Sequence, residues 1–128
     1  MQFMILVLVF CASSAIAQDV SDLRTCFPSP STTSKTSEGI ECLSNVQKTV
    51  EAELNEKYQR SMSPLMLSPR WRASLQKTQR LWTAYRDAVC KTQGDPKIEG
   101  GQVPISLCMI KVTRERIADI EAFYTISR

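Results

Sequence analysis

Apolar residues recur at intervals of three and four along most of the chain, which is the period of an amphipathic helix. The first such stretch runs from about residue 40 to residue 60. Its apolar positions are Leu43, Val46, Val50, Leu54 and Tyr58. The segment 61–68 that follows contains Pro64 and lacks the helical period. The pattern therefore predicts one helix over 40–60.

A second helix is predicted after Ser68, because a serine N-cap followed by proline at the first helical position opens a helix. Its apolar seam has alternating steps of four and three residues: Trp71, Leu75, Thr78, Trp82, Tyr85 and Val89. A polar loop rich in glycine and proline occupies about 94–101. We therefore expect the helix to end near 90–92.

A third helix is predicted from about Pro104 to the C-terminus. The residues that share one of its faces are Ile105, Met109, Val112, Ile120 and Phe123. No stretch of useful length alternates between apolar and polar residues as a strand would. The predicted fold is all-α: a small three-helix bundle in which the last two helices form a long antiparallel hairpin.

The residues before the helices divide into a leader and an arm. An apolar run over 3–12, followed by Ala15-Ile16-Ala17, has the layout of a secretory signal with an A-x-A cleavage site. A membrane anchor is the alternative, but the run is shorter than the roughly 20 residues that a spanning helix needs. We expect a signal peptide at 1–17, an irregular Pro/Ser/Thr-rich arm at 18–39, and a helical domain at 40–128 in the periplasm or secreted medium.

Signal cleavage would remove Cys11 and leave four of the five cysteines, an even number that favours two disulfides in a short exported chain. Three pairings are possible. Cys90 and Cys108 flank the predicted hairpin loop, so a bridge between them would clamp it, and Cys26 would then pair with Cys42. Zinc is the competing use of four cysteines, but the sequence has no histidine and no C-x-x-C pair among them. No metal and no cofactor are expected.

The composition favours a binding protein over an enzyme. There is no histidine for general-base chemistry and no nucleophile elbow, and acids such as Glu51 and Glu53 lie two apart, where they point in different directions on a helix. The formal net charge of +3 is expected to be spread along the chain without a basic block. We therefore expect no nucleic-acid partner. Because the apolar leader would be cleaved, no membrane partner is expected for the mature chain either.

One motif in the second predicted helix is distinctive: Gln79-x-x-Trp82-x-x-Tyr85-Arg86-Asp87-x-x-Cys90. It is preceded by Glu53-Leu54-Asn55-x-x-Tyr58 and followed by Gly100-Gly101, Cys108, Thr113 and Arg116. The combined pattern resembles that of the LprI-type lysozyme inhibitor family over about 42–120, with Gln102 in place of a usual serine. The resemblance implies a helical, exported domain, and some members of that family inhibit lysozyme.

The resemblance implies an inhibitor of lysozyme-like muramidases that occludes the cleft sterically. The alternative is an envelope interaction or immunity protein with a non-lysozyme partner, because a net positive chain would repel a basic lysozyme. We expect the clamped loop 91–103 to contact the partner, since a staple reduces the ordering penalty of inserting it. Its candidate residues are Lys91, Asp95, Lys97, Ile98 and Glu99. A second candidate is the segment 62–67, for which covering the core is the favoured role.

The motif residues also have a structural interpretation. Trp82 and Tyr85 fall in the predicted seam and are expected to pack in the core. Arg116 falls inside the apolar stripe of the third helix, so it needs a partner, and Glu53 is the predicted one. The remaining members are expected to form a polar cluster that sets helix register rather than a ligand site: Tyr58, Gln79, Arg86 and Asp87.

Overall fold

The structure is a computed structural model that describes residues 21–28 and 37–127. A short helix, α1, covers 21–26. Three long helices follow: α2 at Ser37–Ser61, α3 at Pro69–Lys91 and α4 at Gln102–Ser127. Every regular element in these two ranges is helical, which confirms the all-α prediction. The predicted signal peptide, 1–17, lies outside the described residues.

Two helix starts and part of the arm differ from the expectation. Helix α2 begins at Ser37 rather than near residue 40, and Glu38 in its first turn is favoured by the positive end of the helix dipole. Helix α4 begins at Gln102, so Pro104 lies in the first turn, where its missing N–H has no intrahelical acceptor to lose. Residues 21–26 were expected to be irregular, but they are helical because buried Cys26 and the adjacent Phe27 anchor them to the core.

Both predicted disulfides are present: Cys26 bonds Cys42, and Cys90 bonds Cys108. The first bridge ties α1 to α2. The second joins the end of α3 to the first turns of α4, and its Cys90 is fully buried. Covalent links therefore fix α1 and the α3–α4 loop to the core.

Helix α2 buries the face that its sequence predicts. Leu43, Val50 and Leu54 are buried, while Val46 and Tyr58 are half-buried and pack against the same core. After α2, Leu67 is buried and Met62 packs against the core, whereas Leu65 is 94% exposed. The segment 62–67 therefore packs Met62 and Leu67 against the core and also exposes Leu65 and, to a lesser extent, Met66.

Helix α4 is central, since it packs against both α2 and α3, more extensively against α2. Its buried positions repeat at steps of three and four: Val103, Ser106, Ile110, Thr113, Ile117 and Ile120. Of the predicted stripe, only Ile120 belongs to this line. Ile105 and Met109 are half-buried on the flank, because a helix with two neighbours buries more than one face.

Helix α3 is rotated relative to the predicted seam. Leu75, Arg86 and Cys90 are buried, and Gln79 and Trp82 are half-buried on the same side. The prediction that Tyr85 packs in the core is wrong, because its side chain is 60% exposed. The buried face of α3 includes Arg86, a polar residue. A helical projection based only on apolar residues left out this position and therefore placed the centre of the buried face at the wrong angle around the helix.

Candidate functional site

The loop between α3 and α4, residues 92–101, is built from two successive turns. The Ile98 N–H donates to the Asp95 carbonyl oxygen at 3.1 Å, and the Gly101 N–H donates to the Ile98 carbonyl oxygen at 2.8 Å. The Lys97 N–H also donates to the Asp95 carboxylate at 2.9 Å. These bonds form two turns within the loop, so the loop has a defined shape in addition to its disulfide clamp.

Glycines make that shape possible. A Cβ atom on Gly101 would lie 1.8 Å from the Asp95 carbonyl oxygen, and one on Gly94 would lie 2.2 Å from the Gly101 carbonyl oxygen. Gly100 has a φ of 71°, in the left-handed region that side chains with a Cβ rarely adopt. The paired glycines of the sequence motif are thus explained by close backbone packing within the loop.

The loop presents an apolar residue between charged ones. Ile98 is 65% exposed, and Asp95, Lys97 and Glu99 are exposed around it. Of the five residues predicted to contact a partner, the loop therefore carries four, while Lys91 is the last residue of α3. Their role in binding stays a prediction.

A polar cluster lies where the three long helices meet, centred on Arg86, which is only 9% exposed. The Arg86 guanidinium donates to the Thr113 hydroxyl of α4 at 3.3 Å and to the Asp87 carboxylate at 3.0 Å. It also lies 3.5 Å from the Glu51 carboxylate of α2. Arg86 therefore links α2, α3 and α4 through one side chain.

The sequence did not reveal the role of two members of this cluster, Glu51 and the motif residue Thr113. Glu51 was considered from the sequence only as an acid unsuited to paired-carboxylate catalysis, yet it is half-buried and its carboxylate accepts from Arg86. Thr113 is fully buried. The signal for Glu51 was its place three residues before buried Leu54, on the border of the core face of α2.

Two arginine side chains lie over the ring of Trp82. The guanidinium carbons of Arg86 and Arg116 lie 5.1 Å and 5.8 Å from the centre of its ring, within the range of a cation–π interaction. The indole therefore packs against the core, and its ring makes cation–π contacts with two guanidinium groups. The motif spacing of Trp82 and Arg86, one helical turn apart, provides one of these contacts.

The predicted pairing of Arg116 with Glu53 is wrong. Arg116 donates to the Gln79 amide oxygen at 2.9 Å and to the Thr78 hydroxyl at 3.4 Å. Burial lowers the pKa of Arg116, and the nearby Asp119 carboxylate opposes that shift. Because the guanidinium is only half-buried, these two neutral acceptors replace the buried carboxylate that was expected, and Glu53 is exposed on α2.

A groove of about 340 Å³ lies between α2 and α3, and motif residues line it. Its walls are Glu51, Leu54, Asn55, Tyr58, Gln79, Trp82, Thr83 and Arg86. Two of the polar side chains that line it are already engaged, since Arg86 contacts Glu51 and the Gln79 amide oxygen accepts from Arg116. This arrangement supports the interpretation of the motif as packing that sets the positions of α2 and α3.

In the ranges 21–28 and 37–127, no group of His, Cys, Asp or Glu is arranged to hold a metal ion.

The positive charge is concentrated on α3, which corrects the expected even distribution. Helix α3 contains six basic residues and one acidic residue, whereas α2 contains five acidic and three basic residues. The contrast appears only when charges are grouped by helix. The molecule therefore has one basic and one mildly acidic long helix.

Comparison with known proteins gives one match. The profile of a family described as lysozyme inhibitor LprI matches residues 26–120. This range contains all four disulfide-bonded cysteines, the polar cluster and the α3–α4 loop. No curated protein and no solved structure matches the chain significantly.

Proposed function

The chain belongs to the LprI lysozyme inhibitor family, and from this premise we propose that it is an exported inhibitor that blocks the cleft of lysozyme-like muramidases. The family match over most of the chain is the observation that carries the proposal. Family membership implies a lysozyme-inhibitor-like function, and members of the family are inhibitors rather than enzymes. Export and steric occlusion are the finer parts of the proposal.

The α3–α4 loop is the proposed inhibitory element. Its internal hydrogen bonds and its clamp, Cys90–Cys108, reduce the conformational entropy that is lost when a loop enters a cleft. Exposed Ile98 supplies apolar contact area, and neighbouring Lys97 supplies a cation for the paired carboxylates that glycoside hydrolases use. A polypeptide in that cleft offers no glycosidic bond, so it occupies the site without being turned over.

A net positive inhibitor is expected to repel a basic lysozyme, but the positive and negative charges of this chain are concentrated on different helices. The cations that produce the net charge lie on α3, whereas α2 carries an acidic excess. Asp95 and Glu99 add exposed carboxylates on the loop itself. A basic enzyme that approaches these surfaces meets negative charge, and local complementarity of this kind raises association rates.

Two lysozyme assays in parallel test the proposal. The purified mature protein is added to lysozyme, and hydrolysis is followed both as clearing of a cell-wall suspension and as cleavage of a soluble chitooligosaccharide. We expect saturable inhibition in both assays and a stable complex on gel filtration. Inhibition of wall clearing alone would mean that the protein coats the substrate.

The absence of inhibition in both assays, with no complex formed by any lysozyme tested, would contradict the proposal. The chain would then be assigned to the alternative class, an envelope interaction or immunity protein with a non-lysozyme partner. A sample of the same protein that is reduced and alkylated with iodoacetamide is the control, because it keeps the sequence and charge of the chain but loses both disulfides, including the clamp on the loop.

A further inference from the structure

The outward face of α3 carries cations along its whole length. Four of its basic residues are exposed on this face: Arg70, Lys77, Arg80 and Lys91. The single acid of the helix, Asp87, borders the face and is paired with Arg86, with a carboxylate oxygen 2.9 Å from the guanidinium. No acidic residue of α3 therefore interrupts this row of positive charge.

Apolar side chains lie among these cations. Leu81 is 62% exposed and Tyr85 is similarly exposed, with the small residues Ala84 and Ala88 beside them. In a helical projection, the four cations and these apolar residues fall within an arc of about 140°. They form one continuous exposed surface on the side of α3 opposite buried Leu75 and Cys90.

We propose that this surface of α3 binds an anionic phospholipid bilayer, with the helix lying flat on it. A helix of 23 residues is about 34 Å long, so its cations can contact several headgroups at once. Leu81 and Tyr85 then enter the interface between headgroups and acyl chains. Duplex nucleic acid or an anionic polysaccharide would contact mainly the cations, and although Tyr85 could stack on an unpaired base, exposed Leu81 favours a lipid surface.

The mode of binding is peripheral. No helix in the described part of the chain is long and apolar enough to cross a membrane. The sequence-based expectation of no membrane partner rested on cleavage of the apolar leader and did not consider the grouping of cations on α3. Binding through α3 would leave the α3–α4 loop and α2 available to a protein partner, so this proposal does not depend on lysozyme inhibition.

Co-sedimentation of the mature protein with vesicles tests the proposal. Vesicles of phosphatidylcholine with phosphatidylglycerol are compared with vesicles of phosphatidylcholine alone, at low and physiological salt. We expect binding to the anionic vesicles, weakened by salt because the exposed charges are screened. Failure to bind the anionic vesicles at low salt, or equal binding to both types, would overturn the proposal.

A pair of variants with the same change in net charge locates the surface. The α3 variant is Lys77→Gln, Arg80→Gln and Lys91→Gln. The control removes three exposed cations outside α3 and is Arg24→Gln, Lys48→Gln and Arg60→Gln. The α3 variant should bind anionic vesicles more weakly by about tenfold or more, while the control keeps most of its affinity. Equal loss in both variants would show that net charge alone drives binding and would overturn the assignment.

A second variant separates lipid from other polyanions. Leu81→Gln with Tyr85→Gln keeps every charge but removes the apolar contacts. It should bind anionic vesicles more weakly while its retention on a heparin column stays unchanged. If its vesicle binding equals that of the wild type, the face is a general polyanion site and the lipid proposal is wrong.

Discussion

At Arg86 a charged side chain occupies a position that an apolar residue normally takes in a helical bundle. Its guanidinium is held by Thr113, Asp87 and Glu51 and lies over Trp82. Both carboxylates retain access to water, so their desolvation penalty is smaller than in a fully buried pair. Packing volume and the bond to Thr113 are therefore the main contributions of Arg86 to stability.

The first prediction compares substitutions of Arg86 that remove or keep its packing volume. Arg86→Ala should lower the free energy of unfolding by about 2–3 kcal/mol, because it leaves a cavity and an unpaired buried hydroxyl. Arg86→Met keeps most of the volume and should cost only about 1 kcal/mol. Urea denaturation followed by circular dichroism measures both, with Glu53→Gln as an exposed control. Equal and negligible losses would mean that the arginine is not part of the packing.

The sequence identified the motif residues but not their partners. A helical projection places Arg86 beside Gln79 and Cys90, and that grouping is correct. It does not show which flank of the helix is buried, since that depends on where α2 and α4 lie. The partner chosen for Arg116 was wrong for the same reason, because a half-buried guanidinium accepts neutral oxygens that a search for carboxylates overlooks.

Among the elements, the α3–α4 loop is the one whose backbone tolerates change least. Gly101→Ala would place a methyl group against the Asp95 carbonyl oxygen, so the turn must open. We expect a loss of about 1–3 kcal/mol in unfolding free energy, as for overpacking elsewhere, together with weaker lysozyme inhibition. Glu99→Ala, at an exposed position of the same loop, should leave stability unchanged. A Gly101→Ala protein with wild-type melting and inhibition would contradict this account of the loop.

The two disulfides should differ in function more than in stability. They close segments of similar length, with separations of 16 and 18 residues, so the chain-entropy model assigns each about 3 kcal/mol. Cys26→Ala with Cys42→Ala should therefore lower the melting temperature about as much as Cys90→Ala with Cys108→Ala, yet only the second pair should weaken inhibition, since only it frees the loop. Thermal melts and the soluble-substrate assay separate the two effects. Equal loss of inhibition in both variants would argue against a role for loop order.

The existence and order of the long helices followed from hydrophobic period and from the signal at Ser68-Pro69. The structure confirms the Ser68 cap, whose hydroxyl accepts from the Trp71 N–H at 3.5 Å. The faces of α3 and α4 were predicted less well than that of α2. Helix α4 contacts two neighbours and α3 buries an arginine, and in both cases the apolar stripe is a poor guide to the buried side.

Although the whole molecule has a net charge of +3, α2 carries an acidic excess and α3 carries a basic excess. The net charge can be calculated from composition alone, whereas the distribution of charge between helices can be described only once the helix boundaries are known. This distribution allows one chain to present negative charge to a basic enzyme and positive charge to an anionic surface.

Processing of the chain gives a further prediction at this scale. Mass spectrometry of protein from the producing cell should find Gln18 at the N-terminus and no free thiols, since cleavage removes Cys11 and the other four cysteines are paired. Intact Met1 together with reactive cysteines in a cytosolic fraction would contradict export.

If the α3–α4 loop is the inhibitory element, variants of this loop that keep the stability of the wild type should inhibit lysozyme more weakly. Ile98→Ser removes the exposed apolar tip, and replacement of residues 97–99 by Gly-Ser-Gly removes its charges as well. Leu65→Ser, at the 94% exposed position before α3, is the matched control. Each is assayed for lysozyme inhibition on the soluble substrate and for thermal melting. We expect both loop variants to melt like the wild type but to inhibit much more weakly, while Leu65→Ser inhibits fully. Full inhibition by the loop variants, or its loss in Leu65→Ser alone, would contradict the account and place the inhibitory surface at 62–67 or elsewhere.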